Sequence, residues 1–173
     1  MRFDPGPPQR DEAAEYYFQY LGLVPEGSIV DTLRAHADET LQVLRAIPEE
    51  RAGHRYADGK WSVREVVGHI NDTERLFMMR AFWFARGFDS PLPSFDQNIA
   101  TANGPSAEAP LASYVDEFEA LRASSVHFFD HLTPEAWLRR GIASDMPFTV
   151  RALAYIGAGH VMHHVNVLRE RYF

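Results

Sequence analysis

The chain contains no cysteine in its 173 residues. That absence excludes disulfides, thiolate metal ligands and a cysteine nucleophile together, and leaves His, Asp and Glu as the ligand pool for a metal. Long apolar runs are missing too. None approaches the ~20 residues that cross a bilayer, so no membrane partner is expected. The opening Met1-Arg2-Phe3-Asp4-Pro5-Gly6-Pro7-Pro8 has no apolar stretch of the kind a secretory signal carries, and a cytoplasmic location is the default expectation. Concentrated positive charge is absent as well. Seventeen Lys and Arg against 24 Asp and Glu give a formal net charge of −7, and the basic residues are scattered rather than striped, which argues against a nucleic-acid partner. Nothing resembles a serine triad, a phosphate-cradling loop or a dinucleotide fingerprint.

What is present is ordinary for a globular chain, with 46% apolar and 24% charged residues. The simplest organisation is one domain over 1–173, with an N-terminal arm and short helical segment (1–27) and a bundle (28–173). The arm is proline-rich to residue 10. Asp11 to Tyr20 follows as a short helical stretch with Tyr16, Tyr17, Phe18 and Tyr20, expected to pack as a lid over one end of the core rather than to form a binding platform. A first long helix from Ser28 or Asp31 to Ala46 buries Leu33, Ala37, Leu41 and Leu44, with His36 at the stripe's edge and Pro48 beyond its end. Ser62-Val63-Arg64-Glu65 fits a capping box. A second helix therefore starts at Ser62, runs to about Arg86 and is closed by Gly87, with Val66, Ile70, Phe77, Ala81 and Phe84 inside. Residues 87–110 are a long connection with Pro91, Pro93, Pro105 and Pro110, expected to cross the bundle and help wall a pocket. A third helix spans Leu111 to His131, a short turn follows Thr133, Arg140 to Pro147 is irregular or briefly extended, and Thr149 caps a fourth long helix. Four amphipathic helices make an all-α, four-helix bundle the expected fold.

The fourth helix carries Gly159-His160-Val161-Met162-His163-His164-Val165. His160 and His164 stand at i and i+4, so their imidazoles leave one face, and that face is the apolar one. Buried imidazoles need partners for their nitrogens, and a divalent metal satisfies two at once; core histidines bonded to backbone or carboxylates are the alternative. His69 borders the core stripe of the second helix and supplies a third imidazole. Three histidines with an open position are the pattern of a catalytic metal site. His163 points about 100° away from His164, towards an outer or exposed position. His127 and His131 also stand at i,i+4 but face away from Phe118, so they are expected outside any metal site. Glu65 and Asp72 flank His69 on its own side. Glu65 is expected to serve the cap; Asp72 is either a solvated surface charge or a second-shell orienter or general base. Gly157 and Gly159, unfavourable inside a helix, are expected to admit a close neighbour beside the histidines.

The run Lys60-Trp61-Ser62-Val63-Arg64-Glu65-Val66-Val67-Gly68-His69-Ile70-Asn71-Asp72-Thr73-Glu74-Arg75, the segment Pro91 to Asp96, and Gly159 to Tyr172 resemble, in order and spacing, the three signatures of the DinB-like (YfiT-like) superfamily. The similarity extends from about Tyr16 to the end. It implies an up-down-down-up bundle, often a homodimer, and a divalent metal such as nickel or zinc on His69, His160 and His164. Related members include thiol-dependent transferases and isomerases using mycothiol, bacillithiol or glutathione, and others assigned as hydrolases.

The expectation is therefore a metal-dependent enzyme acting on a small molecule. Its metal would activate a low-molecular-weight thiol cosubstrate, as in an S-transferase, or water, as in a hydrolase. Two other readings stay open: a non-catalytic metal-binding stress-response protein, and an interaction module whose histidines are core polar residues.

Overall fold

The computed structural model describes residues 3–104 and 109–173; Met1 and Arg2 of the expected arm and Pro105 of the long connection lie outside them. The helices are α1 (Phe18–Leu21), α2 (Ile29–Arg45), α3 (Val63–Ala85), α4 (Gln97–Ala102), α5 (Leu111–Asp130), α6 (Pro134–Leu138) and α7 (Val150–Arg171). A hairpin of β1 (Arg140–Ala143) and β2 (Met146–Thr149) lies between α6 and α7.

Local chemistry sets the ends. The Ser28 side chain accepts from the Asp31 amide to cap α2. At α3 the box is complete: the Glu65 amide donates to Ser62 Oγ at 3.2 Å and the Ser62 amide to Glu65 Oε2 at 2.6 Å. Gly87, at φ 83°, supplies the left-handed residue just past α3. Glu49 comes from outside α5 to accept its first amide, Leu111, at 2.7 Å. Thr149 caps α7 through the Ala152 amide at 3.1 Å.

Pairs across the interfaces fix the helix directions. Asn71 bonds the Tyr114 carbonyl and Glu117, and three residues on Glu74 meets Arg122 and Ser125, so α3 and α5 run parallel. His69 meets both His160 and His164 while Phe77 reaches Gly157, so α3 and α7 are antiparallel. Arg34 pairs with Asp130 and Arg45 with Glu119, making α2 and α5 antiparallel. This is the up-down-down-up bundle. The helices sit around it in the order α2, α5, α3, α7, so the consecutive pairs α2–α3 and α5–α7 lie across its diagonals while α3 and α5 are side by side. The parallel α3–α5 pair requires the long connection.

Several features depart from expectation. The segment before the last helix, expected to be irregular or briefly extended, is extended and in addition paired as a two-stranded hairpin, turned by Ser144 and Asp145 at φ 53° and 59°, the left-handed pair that a two-residue hairpin turn demands. The long connection contains α4, whose Asp96 side chain accepts from the Asn98 and Ile99 amides. Ala37 is only half-buried, and Thr40 takes the interior place beside it. Where α3, α5 and α7 meet, the Arg122 guanidinium grips Glu74 through Nε at 3.0 Å and a terminal nitrogen at 2.9 Å, and Ser125 donates to the same carboxylate at 2.6 Å. Both ion-pair partners are buried. Among the described residues, no helix is long and apolar enough to cross a membrane.

Candidate metal centre

His69 sits on α3 in the stripe that also buries Val66, Ile70 and Thr73, and His160 and His164 sit one turn apart on α7. The antiparallel packing of these helices brings the three together. His69 Nε2 lies 3.1 Å from His160 Nε2, and His164 Nε2 lies 3.1 Å from the same atom. One imidazole nitrogen has one lone pair and cannot accept two N–H donors, so hydrogen bonds alone leave this trio frustrated. A cation at their centre removes the conflict. Tetrahedral zinc with Zn–N of ~2.0–2.1 Å separates its ligand nitrogens by about 3.3 Å, close to the two 3.1 Å separations at His160 Nε2, and the ligand atoms of all three histidines lie within 4.8 Å of one another.

The protonation states also suit ligation. Burial holds His69 near 4. Burial, with His69 and His163 adding, holds His164 near 3. Burial and then the neighbouring His164 and His69 press His160 well below its ordinary value. All three are neutral at pH 7, the form that coordinates a metal. Thr73 sets the proton on His160. Its Oγ1 donates to the His69 carbonyl at 2.7 Å or that of Ile70 at 3.0 Å, and stands 3.3 Å from His160 Nδ1. With its proton directed to a carbonyl, it accepts from Nδ1–H and leaves the Nε2 lone pair facing the cluster. His69 Nδ1 is buried without a partner among the described residues and packs by the Trp61 ring.

His69 and His160 border a cavity of about 460 Å³, walled by Tyr16, Tyr17 and Tyr20, by Phe77 and Arg80 of α3 and by Phe95 of the connection. The connection walls a pocket, as expected. The tyrosines were expected to cap the core; the structure puts them against the site. Tyr20 stacks edge-on to His160 at 5.3 Å and to His163 at 5.4 Å, and its hydroxyl lies 3.0 Å from that of Tyr16. Burial, then Tyr16, pushes the Tyr20 hydroxyl above its ordinary value, so it keeps its proton. The close approach rests on Gly159, where a Cβ would stand 2.0 Å from the Tyr20 carbonyl oxygen. At Gly157 the nearest atom is 4.0 Å away, so only one of the two glycines answers to a close neighbour.

The remaining candidates separate. His163 is half-buried and outside the cluster. His127 and His131 are exposed, their ring centroids 6.4 Å apart. Glu65 serves the cap and pairs with Arg55 at 2.6 Å. Asp72 is about one-third exposed, 4.0 Å from Arg75, and faces a second cavity of about 410 Å³ that it shares with His69. Burial, partly countered by Arg75, raises its carboxyl above the usual range. Sequence reasoning missed Thr73 as a hydrogen-bond partner and Arg80 as a cavity residue. The available signal was the helical stripe His69, Thr73, Leu76, Arg80.

A sequence profile of the DinB superfamily matches residues 32–168. No curated protein matches the chain. Among solved structures, YfiT from Bacillus subtilis, described as a probable metal-dependent hydrolase with an unusual four-helix-bundle topology, superposes with a TM-score of 0.68 at 15% identity, covering 94% of this chain and 89% of its own. The DinB-like protein YjoA from Bacillus subtilis superposes with a TM-score of 0.58 at 22% identity, over 82% of this chain and 86% of its own.

Proposed function

The chain belongs to the DinB superfamily, and from that premise we propose that it is a metal-dependent enzyme in which His69, His160 and His164 hold one divalent ion, zinc or nickel, beside a small-molecule cavity. The observation that carries this reading is the convergence of three neutral imidazoles, two of which, His69 and His160, line a cavity of about 460 Å³. A carboxylate closing the coordination sphere would favour a purely structural ion. Among the described residues the ligand cluster is three histidines with no carboxylate in it. The bound ion would supply Lewis acidity at its open position, lowering the pKa of a thiol cosubstrate or of water.

The chain's own residues do the rest. Thr73 holds the proton on His160 Nδ1 and so keeps Nε2 free. The Tyr20 ring shields His160 from bulk water, and the Tyr16–Tyr20 hydroxyl pair offers a proton donor at the cavity wall. The absence of cysteine fits the transfer reading, in which a cosubstrate supplies the thiol, but does not select it. The hydrolytic reading is favoured by the description of YfiT.

The test is metal content per chain after purification without an affinity tag, on wild type and His160→Ala. About one metal in wild type, lost in the variant, is the expected result. Turnover of electrophiles with and without added thiol then separates transfer from hydrolysis. Near-zero metal in both proteins would sink the enzyme reading.

A further inference from the structure

Arg80 is 1% exposed, yet it lines the same cavity as His69 and His160. The interior arginines Arg122 and Arg151 have carboxylates, Glu74 and Glu12. Arg80 has none among the described residues. One terminal nitrogen donates to the Pro93 carbonyl at 3.2 Å and to Ser144 Oγ at 2.9 Å. Its Nε is buried with no partner. The Phe148 ring lies 5.8 Å below the guanidinium carbon. The guanidinium is thus held in a fixed plane by neutral groups while its charge goes unanswered. Burial lowers its pKa, with Tyr17 acting in the opposite sense. An unpaired interior charge is expensive, and perturbed ionisable groups beside a cavity concentrate at functional sites.

The carboxylate that lines the cavity, Asp96, does not meet this need. It is exposed and accepts from the first amides of α4. The Ser144 contact adds a second sign of construction. Ser144 is one of the two left-handed residues of the hairpin turn, a conformation rare outside glycine, and its hydroxyl is what receives Arg80. Position along α3 completes the geometry. Eleven residues are just over three helical turns, so His69 and Arg80 share a face, with their Cα atoms separated by about 16.5 Å along the axis. A ligand in the cavity meets the histidines at one end and Arg80 at the other.

We propose that Arg80 is the anion-recognition residue of this cavity, so that the site takes a small molecule carrying a carboxylate or phosphate at Arg80, with its reacting group at the three histidines. The second half of the statement rests on the reading of the histidines as a metal centre; the first half does not. Guanidinium binds either anion through paired N–H donors, which a lysine cannot reproduce.

The experiment is calorimetric titration of glutarate, inorganic phosphate and the uncharged glutaramide into the full chain, zinc-loaded and metal-free. Wild type, Arg80→Lys and Arg80→Met are compared, with zinc per chain measured in every preparation. At least one anion is expected to bind wild type in both metal states, and the tighter of the two distinguishes carboxylate from phosphate recognition. Glutaramide is expected to bind at least about ten-fold more weakly, Arg80→Met to lose at least about ten-fold for the anion, and Arg80→Lys to fall between. Zinc stoichiometry is expected to be equal in all three proteins. The charge comparison within wild type needs no variant to fold. Glutaramide matching the anions, or Arg80→Met binding them as wild type does, would overturn the anion site. Arg80-dependent binding in a wild type that takes up no zinc when zinc is offered would instead overturn the placing of the reacting group at the histidines.

Discussion

Thr73 has one hydroxyl proton and three polar neighbours, the His69 and Ile70 carbonyls and His160 Nδ1. The carbonyls, at 2.7 and 3.0 Å, are the closer acceptors, and with the proton on one of them His160 Nδ1–H is the donor across 3.3 Å. Thr73→Val keeps the shape and removes this constraint on the imidazole. The expected result is zinc affinity weakened by about 10- to 100-fold with unchanged stoichiometry at saturation, measured by competition with a chelating indicator. Unchanged affinity would mean that something else fixes the tautomer. Sequence reasoning weighed Asp72 for such a role because it flanks His69, and treated Thr73 only as a neighbour on the stripe. The difference lies outside local sequence: His160 is 87 residues from Thr73, and only the packing of α3 on α7 introduces them.

At the level of elements, capping chemistry was legible because it is local. Ser62 with Glu65, and Thr149 before Val150, fix the starts of α3 and α7 within a few residues of chain. The place of α1 was not legible, because its partner is Gly159 of α7. Gly159→Ala tests that contact. Alanine gains about 1 kcal/mol in helix propensity, but its Cβ meets a backbone carbonyl at 2.0 Å, which no side-chain rotation relieves. The expected outcome is a net loss of about 1–3 kcal/mol in urea unfolding, as for other overpacked sites. Gly157→Ala, with its nearest neighbour at 4.0 Å, provides the control and is expected to be neutral or slightly stabilising. Equal effects would show that α1 does not depend on the absent side chain. The hairpin was missed for a different reason. Ser144-Asp145 is not a glycine turn, and four-residue strands are too short for alternation to declare itself.

For the whole molecule, His36 links the interior to pH. It was expected at the edge of the α2 stripe, structural or facing solvent. It is half-buried there, and burial, then the positive charges of Arg122 and Arg169, holds it near 4, with Thr40 Oγ1 3.3 Å from Nδ1. Unfolded, it titrates near 6.5. Between those values the unfolded chain binds the extra proton, so stability is full above about pH 6.5 and declines as pH falls towards 4. The slope reaches about 1.4 kcal/mol per pH unit for one proton. Urea midpoints at pH 7.5 and 5, at matched zinc loading, should show a shallower pH dependence for His36→Gln than for wild type. Identical slopes would mean that His36 titrates alike in both states. The Arg122–Glu74 pair that contributes to this environment was invisible in the sequence, where the two residues lie 48 positions apart on different helices. Its satisfaction depends on three helices at once.

The order of helices around the bundle has a consequence for how the protein comes to exist. Each long helix packs chiefly on helices that are not its sequence neighbours. The chain therefore has no helical hairpin to fold as a local unit, and its contact order is higher than that of a bundle whose successive helices lie side by side. The histidine cluster closes a loop of 91 residues between His69 and His160. Loop-closure entropy must be overcome before that contact contributes, so the cluster forms only after α7 has been synthesised and docked. A nascent chain is kept from presenting the complete three-histidine set until the rest of the bundle has assembled around it.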